Sequence, residues 1–122
     1  MARILIVDDA TFIREILKEY AKKAGWIIVA EADDGEKAVL AAMQYQPEVI
    51  FMDLVLPKMN GIEASKKILL KMPEVKIIAT STLDQEDILL RAIEAGCCSF
   101  VTKPFKFEQL RAAVSQALCL NS

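Results

Sequence analysis

Residues 3–9 read RILIVDD and residues 48–53 read EVIFMD. Each holds a continuous run of four apolar residues, the pattern of central strands in a parallel sheet covered on both faces. Acids close both runs, Asp8 and Asp9 the first and Asp53 the second. In open α/β sheets, ligand sites form beyond the carboxyl ends of the strands, where the strand order reverses. Three carboxylates gathered there repel one another unless a cation lies between them, and an all-oxygen donor set selects Mg²⁺.

Outward from these runs, strand and helix patterns alternate five times. Strands are predicted at Arg3–Val7, Ile27–Ala32, Glu48–Met52, Lys76–Thr80 and Ser99–Val101. The first helix, Thr11–Ala24, carries Phe12, Ile13, Ile16, Leu17 and Tyr20 at helical spacing and stops at Gly25. Asp34 is a candidate cap for a helix from Gly35 to Tyr45, and Asn60 with Glu63 opens one from Gly61 to Lys71. Asp84 is the expected cap of a helix from Gln85 to Ala95, and Phe107–Cys119 is the last. Such alternation predicts right-handed βαβ crossovers. The expected fold is α/β and flavodoxin-like, (βα)5: a doubly wound parallel five-stranded sheet in the order 2-1-3-4-5, with helices on both faces. That order puts the first and third strands side by side, so Asp8, Asp9 and Asp53 converge.

The length of 122 residues predicts one domain spanning 1–122, whose core needs no disulfide or metal staple. Net charge is −2 with Lys and Arg scattered, which argues against a nucleic-acid footprint. No apolar run is long enough for a membrane helix, and the N-terminus lacks a signal-peptide shape, so a cytoplasmic location is expected. Cys97, Cys98 and Cys119 lack metal-ligand spacing and read as small reduced residues; a Cys97–Cys98 redox switch is the lesser alternative. The chain has no histidine, which excludes imidazole acid–base catalysis and any role as a phosphohistidine donor.

Either Asp8 or Asp9 alone could cap the first helix, but two in succession add repulsion that a cap does not need. Asp53 precedes a loop punctuated by Pro57 and Gly61, where a turn-forming role competes with a nucleophilic one: a carboxylate that accepts a phosphoryl group as an aspartyl phosphate. Ser81 and Thr82 stand on the same sheet edge, as helix-start hydroxyls or as donors to a bound phosphoryl oxygen. Lys103-Pro104 offers a compact cation suited to phosphate, and Pro permits a cis bond. Phe100 would otherwise be core.

In this order and spacing, Asp8-Asp9, Asp53 with Pro57 and Gly61, Ser81, Ala95-Gly96 and Lys103-Pro104-Phe105 resemble the receiver domains of two-component response regulators. This is the CheY-like family, itself a standard instance of the 2-1-3-4-5 order. The resemblance spans nearly the whole chain. It implies that Asp53 accepts phosphate from the phosphohistidine of a sensor histidine kinase or phosphotransfer protein. It implies Mg²⁺ held by Asp9, Asp53 and the backbone carbonyl of Val55, with Asp8 acting mainly through a water. Lys103 would contact the phosphoryl group, Ser81 would move toward it, and Phe100 would swing inward as the switch aromatic. The downstream protein would then bind the face made by the fourth helix, fifth strand and last helix.

Three departures qualify the resemblance. Ser81 stands where many members have Thr, and Phe100 lacks a phenolic oxygen. Val55 and Leu83 are apolar where polar side chains help place the attacking water, so slow hydrolysis of phospho-Asp53 is expected. Only residues 120–122 follow the last predicted helix, which suits a stand-alone chemotaxis-type or phosphorelay regulator, monomeric or dimerising on phosphorylation, without direct nucleic-acid or membrane contact. The alternative is a receiver cut from a DNA-binding response regulator. A flavin module is disfavoured because Asp8-Asp9 repels anions at the phosphate position. A metal-dependent aspartyl-phosphate phosphatase is disfavoured because its two acids commonly stand one residue apart, not adjacent.

Overall fold

Alternate residues of the apolar strands face opposite layers, so every central strand is buried on both sides. In the computed structural model, which describes residues 1–82 and 84–119, the strands are β1 (Arg3–Val7), β2 (Ile27–Ala32), β3 (Val49–Asp53), β4 (Lys76–Thr82) and β5 (Ser99–Lys103). The helices are α1 (Thr11–Ala24), α2 (Gly35–Tyr45), α3 (Gly61–Lys71), α4 (Glu86–Glu94) and α5 (Phe107–Cys119). All strand pairs are parallel, in the expected flavodoxin-like order β2-β1-β3-β4-β5.

Leu5, Val7, Ile50, Met52, Ile77 and Ala79 form one core layer with α2, α3 and α4. Their sequence neighbours Ile4, Ile6, Val49, Phe51 and Ile78, together with Val101 of β5, form the other with α1 and α5. This period-two partition is the physical content of the continuous apolar runs.

Asp34 accepts from the Lys37 amide at 2.8 Å, and Asn60 accepts from the Glu63 amide at 2.9 Å, so both predicted caps are in place. Gly25 ends α1 at φ 81°, in the left-handed region. Several boundaries differ from expectation. β3 ends one residue later, at Asp53 itself, while β4 runs to Thr82 and β5 to Lys103. The ladder pairs Asp53 with Thr80, Ser81 with Thr102 and Thr82 with Lys103, so pairing continues past the last apolar residue. Asp84 does not cap α4. Gln85 holds that position with no side-chain bond to the helix amides, and the Asp84 carboxylate accepts instead from the Thr82 hydroxyl.

On α1 the buried stripe is Ile13, Leu17 and Ala21, while Phe12 and Ile16 lie exposed. Cys97 is buried against Ser65 at 3.7 Å and Cys98 is half-buried, and burial pushes both thiols above their ordinary pKa. That suppresses the thiolate a redox switch needs. Among the described residues, no helix is long and apolar enough to cross a membrane.

Candidate functional site

β1 and β3 are adjacent, so the residues at their carboxyl ends share one edge of the sheet. Asp8, Asp9 and Asp53 meet there, each offering a carboxylate oxygen within 4.8 Å of the others. Asp8 and Asp53 are buried, at 1% and 5% exposure, and Asp9 is open to solvent. Neither Asp8 nor Asp9 caps α1; its N-cap is Ala10, without a side-chain bond. The Asp8 Oδ1 accepts from the Ala10 amide at 2.9 Å.

Among the described residues, the cluster has one internal cation. Lys103, carried in from the end of β5, places Nζ 2.7 Å from Asp8 Oδ2 and 3.5 Å from Asp53 Oδ2. The Lys103-Pro104 peptide is cis. One ammonium does not balance three carboxylates. Burial foremost, then the Asp8 charge, push the Asp53 carboxyl up to about 6, against the opposing pull of Lys103 and the Val55 amide. That amide donates to Asp53 Oδ1 at 3.2 Å, so Asp53 also makes the local turn considered from sequence.

The β3–α3 loop is pressed close beneath Asp53. At Gly61 a Cβ would lie 2.1 Å from the Asp53 carbonyl oxygen, so only glycine fits. The Gly61 amide donates to the Leu54 carbonyl at 3.0 Å and closes the loop.

Ligands on an octahedral Mg²⁺ at about 2.1 Å stand roughly 3–4 Å apart, so oxygens already within 4.8 Å need little movement to share one ion. The all-oxygen donor set and its surplus negative charge fit that ion and no imidazole- or thiolate-seeking metal.

Among the described residues, the side chains of Ser81, Phe100 and Val55 are not part of the carboxylate cluster. Ser81 is 1% exposed and one residue beyond Thr80, the register partner of Asp53, but its hydroxyl donates to Gln85 Oε1. Phe100 is 49% exposed and lines a groove of about 300 Å³ with Glu86, Leu89, Leu90 and Thr102. Val55 is exposed beside Asp53, and Leu83 lies outside the described residues.

The sequence reading passed over two residues that brace this edge. Arg14 donates to the Asp8 carbonyl oxygen at 2.7 Å and pairs with Glu31 at 3.1 Å, fixing the turn that presents Asp9. Gln85 holds Ser81. The only local signal for Arg14 is a half-buried helix position one turn past the acids; its partner Glu31 lies on another strand.

Residues 4–115 match the family model described as the response regulator receiver domain. The chain is 40% identical to the chemotaxis protein CheY of Thermotoga maritima over 114 residues, covering 93% of this chain and 95% of that protein. It is 38% identical to CheY of Bacillus subtilis, covering 95% and 97% respectively. Among solved structures, a LuxR-family two-component response regulator from Aurantimonas superposes at a TM-score of 0.90 and 32% identity, over 98% of this chain and 86% of that one. The response regulator domain of Thermotoga maritima CheB superposes at 0.82 and 35% identity, over 95% and 92%. The chain belongs to the response regulator receiver domain family, with CheY-like relatives along nearly its whole length.

Proposed function

We propose that this chain is the phosphoacceptor switch of a two-component system and works as a single domain over residues 1–122. The family is typically one of signalling switches rather than true enzymes, and its members generally use Mg²⁺. The observation that carries the proposal is the convergence of Asp8, Asp9 and Asp53 on Lys103 at the carboxyl ends of β1, β3 and β5.

Asp53 is the nucleophile. Its carboxylate oxygen bonds to phosphorus as the N–P bond of the donor phosphohistidine breaks, and the imidazole leaves with the bond's electron pair and takes up a proton. Asp9, Asp53 and the Val55 backbone carbonyl would hold Mg²⁺, with Asp8 acting mainly through a water, and the ion would supply positive charge to offset that of the phosphoryl oxygens in a carboxylate-lined pocket. Lys103 shifts from its carboxylate partners toward the transferred group and keeps a positive charge beside it. Ser81 supplies a hydroxyl to a phosphoryl oxygen, and Phe100 moves from its half-exposed position as the α4–β5–α5 face changes state.

The phosphoryl donor is a sensor histidine kinase or a phosphotransfer protein, and the output is a protein bound on that face, in the cytoplasm. The CheY relatives are chemotaxis proteins, which supports a chemotaxis-type role or, by the same chemistry, a phosphorelay one. Incubation with acetyl phosphate and Mg²⁺, followed by intact-mass spectrometry, tests the proposal. One phosphoryl group should be added, and Asp53→Asn should receive none; labelling that survives in Asp53→Asn rules the assignment out.

A further inference from the structure

We infer that Gln85 is a positioning residue for Ser81, holding its hydroxyl at the start of α4 and releasing it when an anionic oxygen is bound on Asp53. Gln85 is the N-cap residue of α4, yet its side chain leaves the helix amides alone. Its Oε1 accepts instead from the Ser81 hydroxyl and, at 3.3 Å, from the Thr82 amide. Its own amide donates to the Thr82 carbonyl at 3.3 Å, and its carbonyl accepts from the Leu89 amide at 3.1 Å. One side chain therefore joins the buried end of β4 to the first turn of α4.

The inference follows from counting protons. A serine hydroxyl has a single proton to donate. Ser81 is 1% exposed, so water offers it little alternative. Its proton goes to Gln85 or to an oxygen carried on Asp53, and not to both. The two bonds are mutually exclusive states, and Gln85 weights the resting one. Breaking that bond leaves Gln85 Oε1 with the Thr82 amide as its remaining partner and removes one tether on the first turn of α4, next to the groove lined by Glu86, Leu89 and Phe100.

This inference rests on the phosphoacceptor reading of Asp53. The test is calorimetric titration of the full chain with fluoroberyllate, a phosphoryl mimic, at saturating Mg²⁺. The four proteins are wild type, Gln85→Leu, Ser81→Ala and the double variant. A typical net hydrogen bond corresponds to roughly a two- to tenfold change in an equilibrium. Gln85→Leu should tighten fluoroberyllate binding by about that factor, leave the affinity for Mg²⁺ alone unchanged, and have no effect where Ser81 is already Ala. Gln85→Met, of matching length, should behave as Gln85→Leu and covers a folding failure of the first.

Weaker or unchanged binding in Gln85→Leu, or equal tightening with and without the Ser81 hydroxyl, overturns the inference while the phosphoacceptor reading stands. A wild-type chain that binds no fluoroberyllate, or an Asp53→Asn chain that binds it as well as wild type, overturns both.

Discussion

Along the carboxyl edge of the sheet, β1 and β3 end in buried, bonded side chains, whereas α4 and β5 present exposed apolar ones. Asp8 is tied to the Ala10 amide, to Lys103 and, through its carbonyl, to Arg14. Asp53 is held by the Val55 amide with Gly61 packed beneath it. On the other side, Leu90 and Phe100 are 65% and 49% exposed. α3 buries five of its residues under an Asn60 cap, while α4 buries only Leu89 and Ala92 and has no side-chain cap. Segments with little buried apolar area and few anchoring bonds open at lower free energy than the core. The carboxylate cluster therefore sits on the firm half and the exposed apolar surface on the loose half. Lys103 reaches from β5 into the firm pocket and is one physical link between them.

The sharpest way to break this contrast is truncation on each side. Ile77, fully buried in the central sheet, should lose about 2–5 kcal/mol of stability on replacement by Ala. Leu90→Ala on α4 should change stability by less than about 0.5 kcal/mol. Urea unfolding of the two variants compares them directly, and similar losses would erase the distinction.

A second test separates burial of charge from packing. The Asp53 carboxyl is raised from an ordinary 3.8 to about 6, so the folded chain holds that proton more tightly than the unfolded chain. Its contribution to stability therefore falls as pH rises between those values; the difference corresponds to roughly 3 kcal/mol, and with partial screening by solvent the ionised group costs on the order of 2 kcal/mol at pH 7. In chelator at pH 7, Asp53→Asn should be more stable than wild type by about that amount. The gap should close below pH 4, and added Mg²⁺ should favour wild type. A wild type that is the more stable protein at both pH values, without metal, contradicts this electrostatic account.

A smaller effect concerns the lifetime of the phosphorylated state. If Asp53 carries the phosphoryl group as proposed, Val55→Asn combined with Leu83→Glu restores polar residues at the two positions where the family uses them to place the attacking water, and should speed loss of phosphate up to about tenfold, or roughly 1.4 kcal/mol of barrier. An unchanged decay, followed by mass spectrometry over time, removes these apolar residues as the cause of slow hydrolysis.

The firm half was the legible half. β1 and β3 announce themselves because a strand buried on both faces must be apolar throughout, and the acids at their ends stand out against that run. Asp34 and Asn60 were readable because a cap acts within three residues of its own position. The loose half hid its details. Asp84 looked like the cap of α4 because residue type alone does not reveal that its carboxylate accepts from Thr82. The polar ends of β4 and β5 carry no local signal, because pairing of Thr82 with Lys103 depends on a neighbouring strand and not on local apolarity. Arg14 and Gln85 escaped notice because their roles rest on partners that only the folded chain supplies.

Backbone hydrogen exchange with Mg²⁺ alone and with Mg²⁺ plus fluoroberyllate tests most directly the claim that a charge placed on Asp53 is read out across the loose half. The expected result is altered exchange through residues 84–103, with β1 and the body of β3 unchanged. Exchange that changes only around Asp8 and Asp53, leaving α4 and β5 as before, would contradict it.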